Sequence, residues 1–224
     1  MLSFSLFSGA KCYNCGQNGH YFCPQCIPKL QIYEGFDYAS KRPSKNFYID
    51  KEYQKDFSLT QVIVLTHYHQ KGVKTLLRHA KFYGKYAAYR DIILPFSPFF
   101  NEYLDTHNSL LVPIPLHFLR RWKRGFNQSE KIAGVISRIV DISVCNTLLF
   151  RKKYTKHQSH LSKAERQTML YSAFYTSKKH KIPKSTTIYL VDDVVSSGST
   201  LLECANTLRS EGFTDVRAVV LASD

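Results

Sequence analysis

The chain has 224 residues, 44% hydrophobic and 21% charged, with a formal net charge of +14. That length supports one domain with a sizeable core and a small appendage. No apolar run reaches the roughly 18 residues of a membrane span, and the stretch from Met1 to Phe7 lacks the basic start and long apolar middle of a signal peptide, so the expectation is a cytoplasmic protein with no membrane insertion.

The first predicted unit is a metal knuckle over residues 1–30. Four of the six cysteines follow the pattern Cys12-x₂-Cys15-x₇-Cys23-x₂-Cys26. Two CxxC pairs each present two thiolates from a tight turn, and together they close a tetrahedral Zn²⁺ site. Gly16 and Gly19 permit the turns, and His20 is an alternative ligand that four thiolates make unnecessary. Disulfides are the competing reading, which a cytoplasmic compartment disfavours. Cys145 and Cys204 lie in apolar patterns and read as core residues.

Residues 31–60 are aromatic and polar without a clear period, and read as short strands or loop. Gln61 to Thr66 reads as a strand, followed by His67, Tyr68 and His69, which suit a surface or satisfied role better than a metal site. Lys74 to Tyr83 has a helical pattern with Leu76, Leu77, Ala80 and Tyr83 on one side, and Ala87 to Leu94 continues in a second helix. Leu110 to Pro115 is a buried strand that must end at its prolines, which lack the ladder donor. A basic loop is expected next, with His117, Arg120, Arg121, Trp122, Lys123 and Arg124. Asn127 and Glu130 then sit as N-cap and N3 of a helix burying Ile132, Val135, Ile136 and Ile139. A third strand, Thr147 to Phe150, runs into Arg151, Lys152, Lys153 and Lys156, in a long polar loop that suits a mobile lid. Lys178 to Lys184 is another basic loop.

The most informative stretch begins at Thr186. Ile188, Leu190 and Val191 form a buried strand, and Asp192 and Asp193 stand at its end. Val194, Val195, Ser196, Ser197, Gly198, Ser199 and Thr200 form a hydroxyl-rich turn. A helix follows with Leu201, Leu202, Ala205 and Leu208 on one face and Gly212 as its stop. Such a unit aims loop amides and a helix N-terminus at one spot, which suits a phosphate. The two carboxylates on the same rim can accept hydrogen bonds from sugar hydroxyls or help hold Mg²⁺. The competing reading is a βα turn whose polar residues only cap a helix. Asp215 to Leu221 closes the sheet. Strands alternating with helices predict an α/β fold with a parallel sheet flanked by helices, and the three notable loops should share its carboxyl rim.

Charge is unevenly placed. Residues 111–184 hold sixteen Lys/Arg against three Asp/Glu, and residues 185–224 hold two against six. The cationic excess, interleaved with Trp122, Phe126 and Tyr154, suits a phosphodiester backbone with stacked bases, or is simply a solvated basic face.

The loop from Asp192 to Thr200 resembles the phosphoribosyl pyrophosphate (PRPP) loop of type I phosphoribosyltransferases. Five features then resemble the ComF/GntX family, in order: the knuckle, Val112-Pro113-Ile114-Pro115-Leu116, Arg124-Gly125-Phe126-Asn127-Gln128, the pattern Arg151-Lys152-x-x-Thr155-x-x-Gln158-x-x-Leu161-x-x-x-Glu165-Arg166, and the PRPP-like loop. The resemblance implies a type I phosphoribosyltransferase domain over 31–224, with 31–60 matching nothing, behind a structural zinc finger. It implies a role in natural transformation: handling incoming single-stranded DNA in the cytoplasm beside the translocase-helicase of the DNA-uptake machinery. In such a site Ser196 to Thr200 hold the 5′-phosphate and Asp192 and Asp193 bind the ribose 2′- and 3′-hydroxyls. The second acid helps stabilise positive charge at the anomeric carbon. Mg²⁺ accompanies PRPP, and cations from 117–124 or 151–156 receive pyrophosphate. The resemblance leaves the acceptor, and so enzyme status, undefined. A metabolic phosphoribosyltransferase that binds no DNA is the alternative.

Overall fold

The computed structural model describes residues 9–30, 36–37, 59–152 and 173–224, and readings on other residues lie outside it. In chain order the elements are β1 (Phe36–Asp37), β2 (Gln61–His67), α1 (Val73–Tyr83), α2 (Ala88–Ile93), α3 (Ser97–Tyr103), β3 (Ser109–Pro113), α4 (Phe118–Arg124), α5 (Gln128–Val140), β4 (Ser143–Val144), β5 (Leu149–Arg151), β6 (Phe174–Thr176), β7 (Thr187–Val195), α6 (Ser199–Ser210) and β8 (Val216–Ser223).

Six strands form one sheet in the order β1-β2-β8-β7-β3-β4. All neighbours are parallel except the β1–β2 pair at the edge. The central strands are near-continuous apolar runs because both faces of the sheet are covered. On one face Ile63, Leu65, Leu111, Tyr189, Val191 and Val219 pack with α1, α2, α3 and α5. On the other, Val62, Val64, Val112, Ile188, Leu190 and Val220 pack against Leu201, Leu202, Ala205 and Leu208 of α6. This is the period-two alternation of a three-layer α/β domain.

Cys12, Phe22, Cys23, Cys26 and Leu30 of the knuckle join the same core as α1 and α2. The buried Asp91 of α2 accepts the Tyr21 amide at 2.7 Å and the Phe22 amide at 3.4 Å. Gly72, with φ +85°, lies under the knuckle; a Cβ there would meet Phe22 Cε2 at 3.0 Å and Asn14 Cα at 3.1 Å. Both the left-handed backbone and the close approach require glycine.

Tyr83 is 69% exposed and does not share the buried face of Leu76, Leu77 and Ala80. Helix α3 was not anticipated; it starts at Ser97 with Pro98 in its first turn and buries Phe100. The basic stretch after β3 is a helix, α4, because the His117 side chain caps it by accepting the Leu119 amide and Gly125 closes it at φ +75°. The third strand does not join the parallel sheet: β5 pairs antiparallel with β6 in a separate two-stranded sheet. Strand β7 runs on through both acids to Val195, with Asp192 opposite Val220 and Val195 opposite Ser223 on β8. Cys204 is buried as expected, whereas Cys145 is only half-buried.

Candidate functional site

The knuckle brings its four sulfurs together. The ligand atoms of Cys12, Cys15, Cys23 and Cys26 all lie within 4.8 Å of one another. A tetrahedral site with Zn–S bonds of about 2.3 Å sets its sulfurs about 3.8 Å apart. Cys15 and Cys23 Sγ are 3.5 Å apart and all six cysteines are free, so these contacts are not disulfides. Two tight turns shape the cradle, with Gly16 N–H donating to Cys12 O at 2.8 Å and Cys26 N–H to Cys23 O at 2.9 Å. Burial opposes ionisation of Cys12, but backbone N–H groups of Cys23, Cys15 and Asn14 outweigh it and bring its thiol down to about 7. Burial and the neighbouring thiols push Cys23 up to about 12. Four sulfurs at this spacing fit a structural zinc, whose charge would hold all four as thiolates.

The second centre sits at the carboxyl end of β7, between β8 and β3. Asp192 Oδ1 accepts the Asp193 amide at 2.9 Å and the Ser129 hydroxyl at 3.0 Å, and Asp193 Oδ1 accepts the Val194 amide at 2.9 Å. Burial first, then the adjacent Asp193 charge, raise Asp192 to about 7; the Asp193 amide and Ser129 hydroxyl oppose this without cancelling it. Past Val195 the chain turns through Ser196 and Ser197, and Gly198, at φ +77°, caps α6. Ser197 Oγ and Ser199 Oγ are 2.9 Å apart. The loop hydroxyls thus meet the N-terminus of a twelve-residue helix, where unpaired amides and the helix dipole favour an anion.

The neighbouring strand supplies a support the sequence did not point to. Ile114 N–H donates to Val191 O at 2.9 Å, which pins the proline segment beside β7. Asn127 donates its side-chain N–H to Ile114 O at 2.9 Å and accepts the Ser129 amide at 3.2 Å, capping α5. That cap aims Ser129 at Asp192; the only trace of this in the sequence is a serine two residues after a capping asparagine. Glu130 does not reach back to Asn127: it pairs with Arg121 Nη1 at 2.6 Å, tying α4 to α5. The Tyr89 hydroxyl and Gln128 Nε2 are also buried, and have no hydrogen-bond partner among the described residues. Burial, then the charge of Asp193, raises the Tyr89 hydroxyl above its usual range.

The cations are only partly gathered. Lys123 and Trp122 are exposed on α4, with Trp122 at 81%, while Arg124 is half-buried with its guanidinium 5.9 Å from the Phe82 ring centre. The side chain of Arg120, and Lys153 and Lys156, lie outside the described residues. Lys152 is exposed and Arg151 lies 5.2 Å from the Phe174 ring, both at the end of β5 and so off the parallel sheet. The three loops therefore do not form one rim through main-sheet strands; two of them do, after β3 and β7. His69 pairs with Asp224 at 2.7 Å on the surface.

The raised acid has a measurable consequence. With a folded value near 7 against an ordinary 3.8, protonated Asp192 favours the ligand-free fold below about pH 4, and that contribution is lost as pH rises through about 7. Asp192→Asn should therefore melt higher than the parent at pH 8, with the advantage growing between about pH 4 and 7 and level above. Melting curves across pH test this, and an advantage independent of pH would contradict it.

The model of the phosphoribosyl transferase domain matches residues 104–224, from the approach to β3 through the end of β8. Over 99% of both chains the sequence is 27% identical to "Competence protein F" of Haemophilus influenzae. It is 31% identical to "Competence protein ComFC" of Bacillus subtilis, over 62% of this chain and 55% of that one. It is 33% identical to "DNA utilization protein YhgH" of Escherichia coli K12, over 48% of this chain and 46% of that one. Among the described residues no helix is long and apolar enough to cross a membrane. The chain belongs to the phosphoribosyl transferase domain family, of the ComF type, and carries its cysteine cluster ahead of the matched residues.

Proposed function

We propose that this chain binds PRPP with Mg²⁺ at the β7–α6 loop and serves natural transformation by handling incoming single-stranded DNA in the cytoplasm, in contact with the helicase or translocase of the uptake machinery. The observation that carries the PRPP reading is the acid pair one turn before a hydroxyl-rich helix N-terminus. Asp192 and Asp193 take the ribose hydroxyls, Ser196 to Thr200 take the 5′-phosphate, and Ser129 fixes the Asp192 carboxylate. Carboxylate oxygens are the hard donors Mg²⁺ prefers, and the ion would supply charge for the pyrophosphate. Should transfer occur, Asp193 would stabilise positive charge at the anomeric carbon while the cations of α4 receive pyrophosphate. The names of the relatives support a role in competence and DNA use. The exposed Trp122 beside Lys123 supports contact with unpaired bases near this site.

Binding of a labelled oligo-dT across a salt series tests the DNA reading. The parent should bind with a negative slope of log K on log salt. Lys123→Gln should make that slope shallower by about 0.7. Trp122→Ala should cost about 1–3 kcal/mol with the slope unchanged, because stacking releases no counterions. No binding by the parent at low salt would shift the assignment to a metabolic phosphoribosyltransferase acting on a small acceptor.

A further inference from the structure

A second concentration of positive charge lies outside the 111–184 segment. Between Phe57 and Arg90 the chain has six Lys/Arg and no Asp/Glu. Helix α1 buries Val73, Leu76, Leu77 and Ala80 and leaves Lys74, Thr75, Arg78, Phe82 and Tyr83 exposed. On that side lies a cleft of about 540 Å³ lined by Lys74, Thr75, Arg78, His79, Phe82 and Tyr83. Phe82 is 64% exposed and Tyr83 69%. Two large aromatic rings left in water at the end of one helix, beside a cleft whose lining among the described residues has cations and no carboxylate, are not what a solvated face requires.

The rings belong to a longer arrangement. Tyr83 lies 5.0 Å from His79, His79 lies 4.8 Å from Tyr13 of the knuckle, and Tyr13 stacks on Tyr21 at 5.8 Å. A hydrogen bond of 3.0 Å between the Tyr13 hydroxyl and His79 Nδ1 locks knuckle and helix together. At the other end Phe82 has two cations near its ring, with Lys81 Nζ 5.7 Å and the Arg124 guanidinium 5.9 Å from its centre. Arg124 belongs to α4, so the aromatic row runs from the zinc knuckle along α1 to the helix that carries Trp122.

A ligand for this surface needs repeated negative charge and flat apolar faces at once. An acidic peptide offers the first without the second, and duplex DNA offers charge with its bases already stacked. Resting on the DNA-handling reading above, we infer that α1 and the knuckle form the platform for a single nucleic-acid strand, with bases on Phe82 and Tyr83 and phosphates on Lys74 and Arg78. The strand continues past Arg124 to α4. The zinc knuckle then has a binding task as well as a structural one, because it holds His79 and the aromatic row in place.

Two variants of the full zinc-loaded chain test this with fluorescent dT15, against a control pair in the basic turn after β6. Phe82→Ala with Tyr83→Ala should weaken binding at least about tenfold and leave the salt slope unchanged. Lys74→Gln with Arg78→Gln should weaken binding and make the slope shallower by about 1.4. Lys178→Gln with Lys179→Gln should change either little. All six side chains are exposed, and unchanged melting midpoints confirm an intact fold. If the parent binds dT15 while both α1 variants match it, or while the control loses as much as they do, the platform is wrong and the DNA reading stands. If the parent does not bind dT15, or instead is held by phosphatidylserine vesicles through these residues, both fall. Equal losses on single-stranded and duplex DNA would also overturn the platform, since stacking needs unpaired bases.

Discussion

Stripping the metal, or replacing Cys23 by Ser, is expected to destabilise the whole chain and not merely the first thirty residues. Metal binding in so small a module is itself folding free energy, about 10–16 kcal/mol in isolated zinc-finger peptides at neutral pH. Here the module is also a lid on the main core. Phe22, Cys23, Cys26 and Leu30 are buried against α1 and α2. Asp91 is 4% exposed and depends on the Tyr21 and Phe22 amides for its partners. Unfolding the knuckle would leave that carboxyl without those donors and bare an apolar surface on α1. A buried polar group left without its partners costs about 1–3 kcal/mol, before the exposed apolar area is counted. The expected loss is roughly 5 kcal/mol or more, a large share of the 5–15 typical of a domain. Elemental analysis should find one zinc per chain, and a strong chelator should lower the melting midpoint and expose all four thiols to a thiol reagent. Protein free of zinc that melts unchanged would reject the metal assignment.

The second large effect concerns the ligand. Asp192→Ala with Asp193→Ala should remove PRPP binding and leave the fold intact. Each carboxylate that accepts a ribose hydroxyl contributes about 1.5–3 kcal/mol, so losing both should weaken binding about 10²- to 10⁴-fold. The fold should survive because these acids are not holding it: burial and mutual repulsion already work against ionised Asp192. Ser129→Ala is a milder version, since it removes one fixed donor to Asp192 Oδ1 and leaves both acids in place.

How much was legible in the sequence follows from what each element depends on. The strand–loop–helix at 187–210 and the knuckle are set by local chemistry: an apolar run, adjacent acids, a glycine with positive φ, and paired cysteines. Those signals sit within a few residues and survive without a tertiary frame. Helix α4 is hard to read because it has only seven residues, Phe118–Arg124, and its apolar side chains Phe118, Leu119 and Trp122 are exposed, so no core contact is to be expected of them; the His117 cap and Gly125 stop are its clearest local signals. The β5–β6 pair joins residues more than twenty positions apart, and a short apolar run cannot show whether its partner is the main sheet or a distant hairpin strand. Ser129 reaches Asp192 only after Asn127 has docked on Ile114, a contact across two loops. The cationic surface of α1 went unread, because Tyr83 in helical register with Leu76 and Ala80 reads as core; its 69% exposure separates it from them.

Isothermal titration of PRPP into the zinc-loaded full chain, with Mg²⁺ at pH 8 where Asp192 is ionised, decides whether the β7–α6 loop is a PRPP site. One PRPP should bind per parent chain, more weakly to Ser129→Ala, and not at all to the Asp192→Ala/Asp193→Ala protein, whose melting midpoint should be no lower than the parent's. Equal binding by the parent and the double variant, or no heat from the parent at saturating PRPP and Mg²⁺, would contradict that assignment.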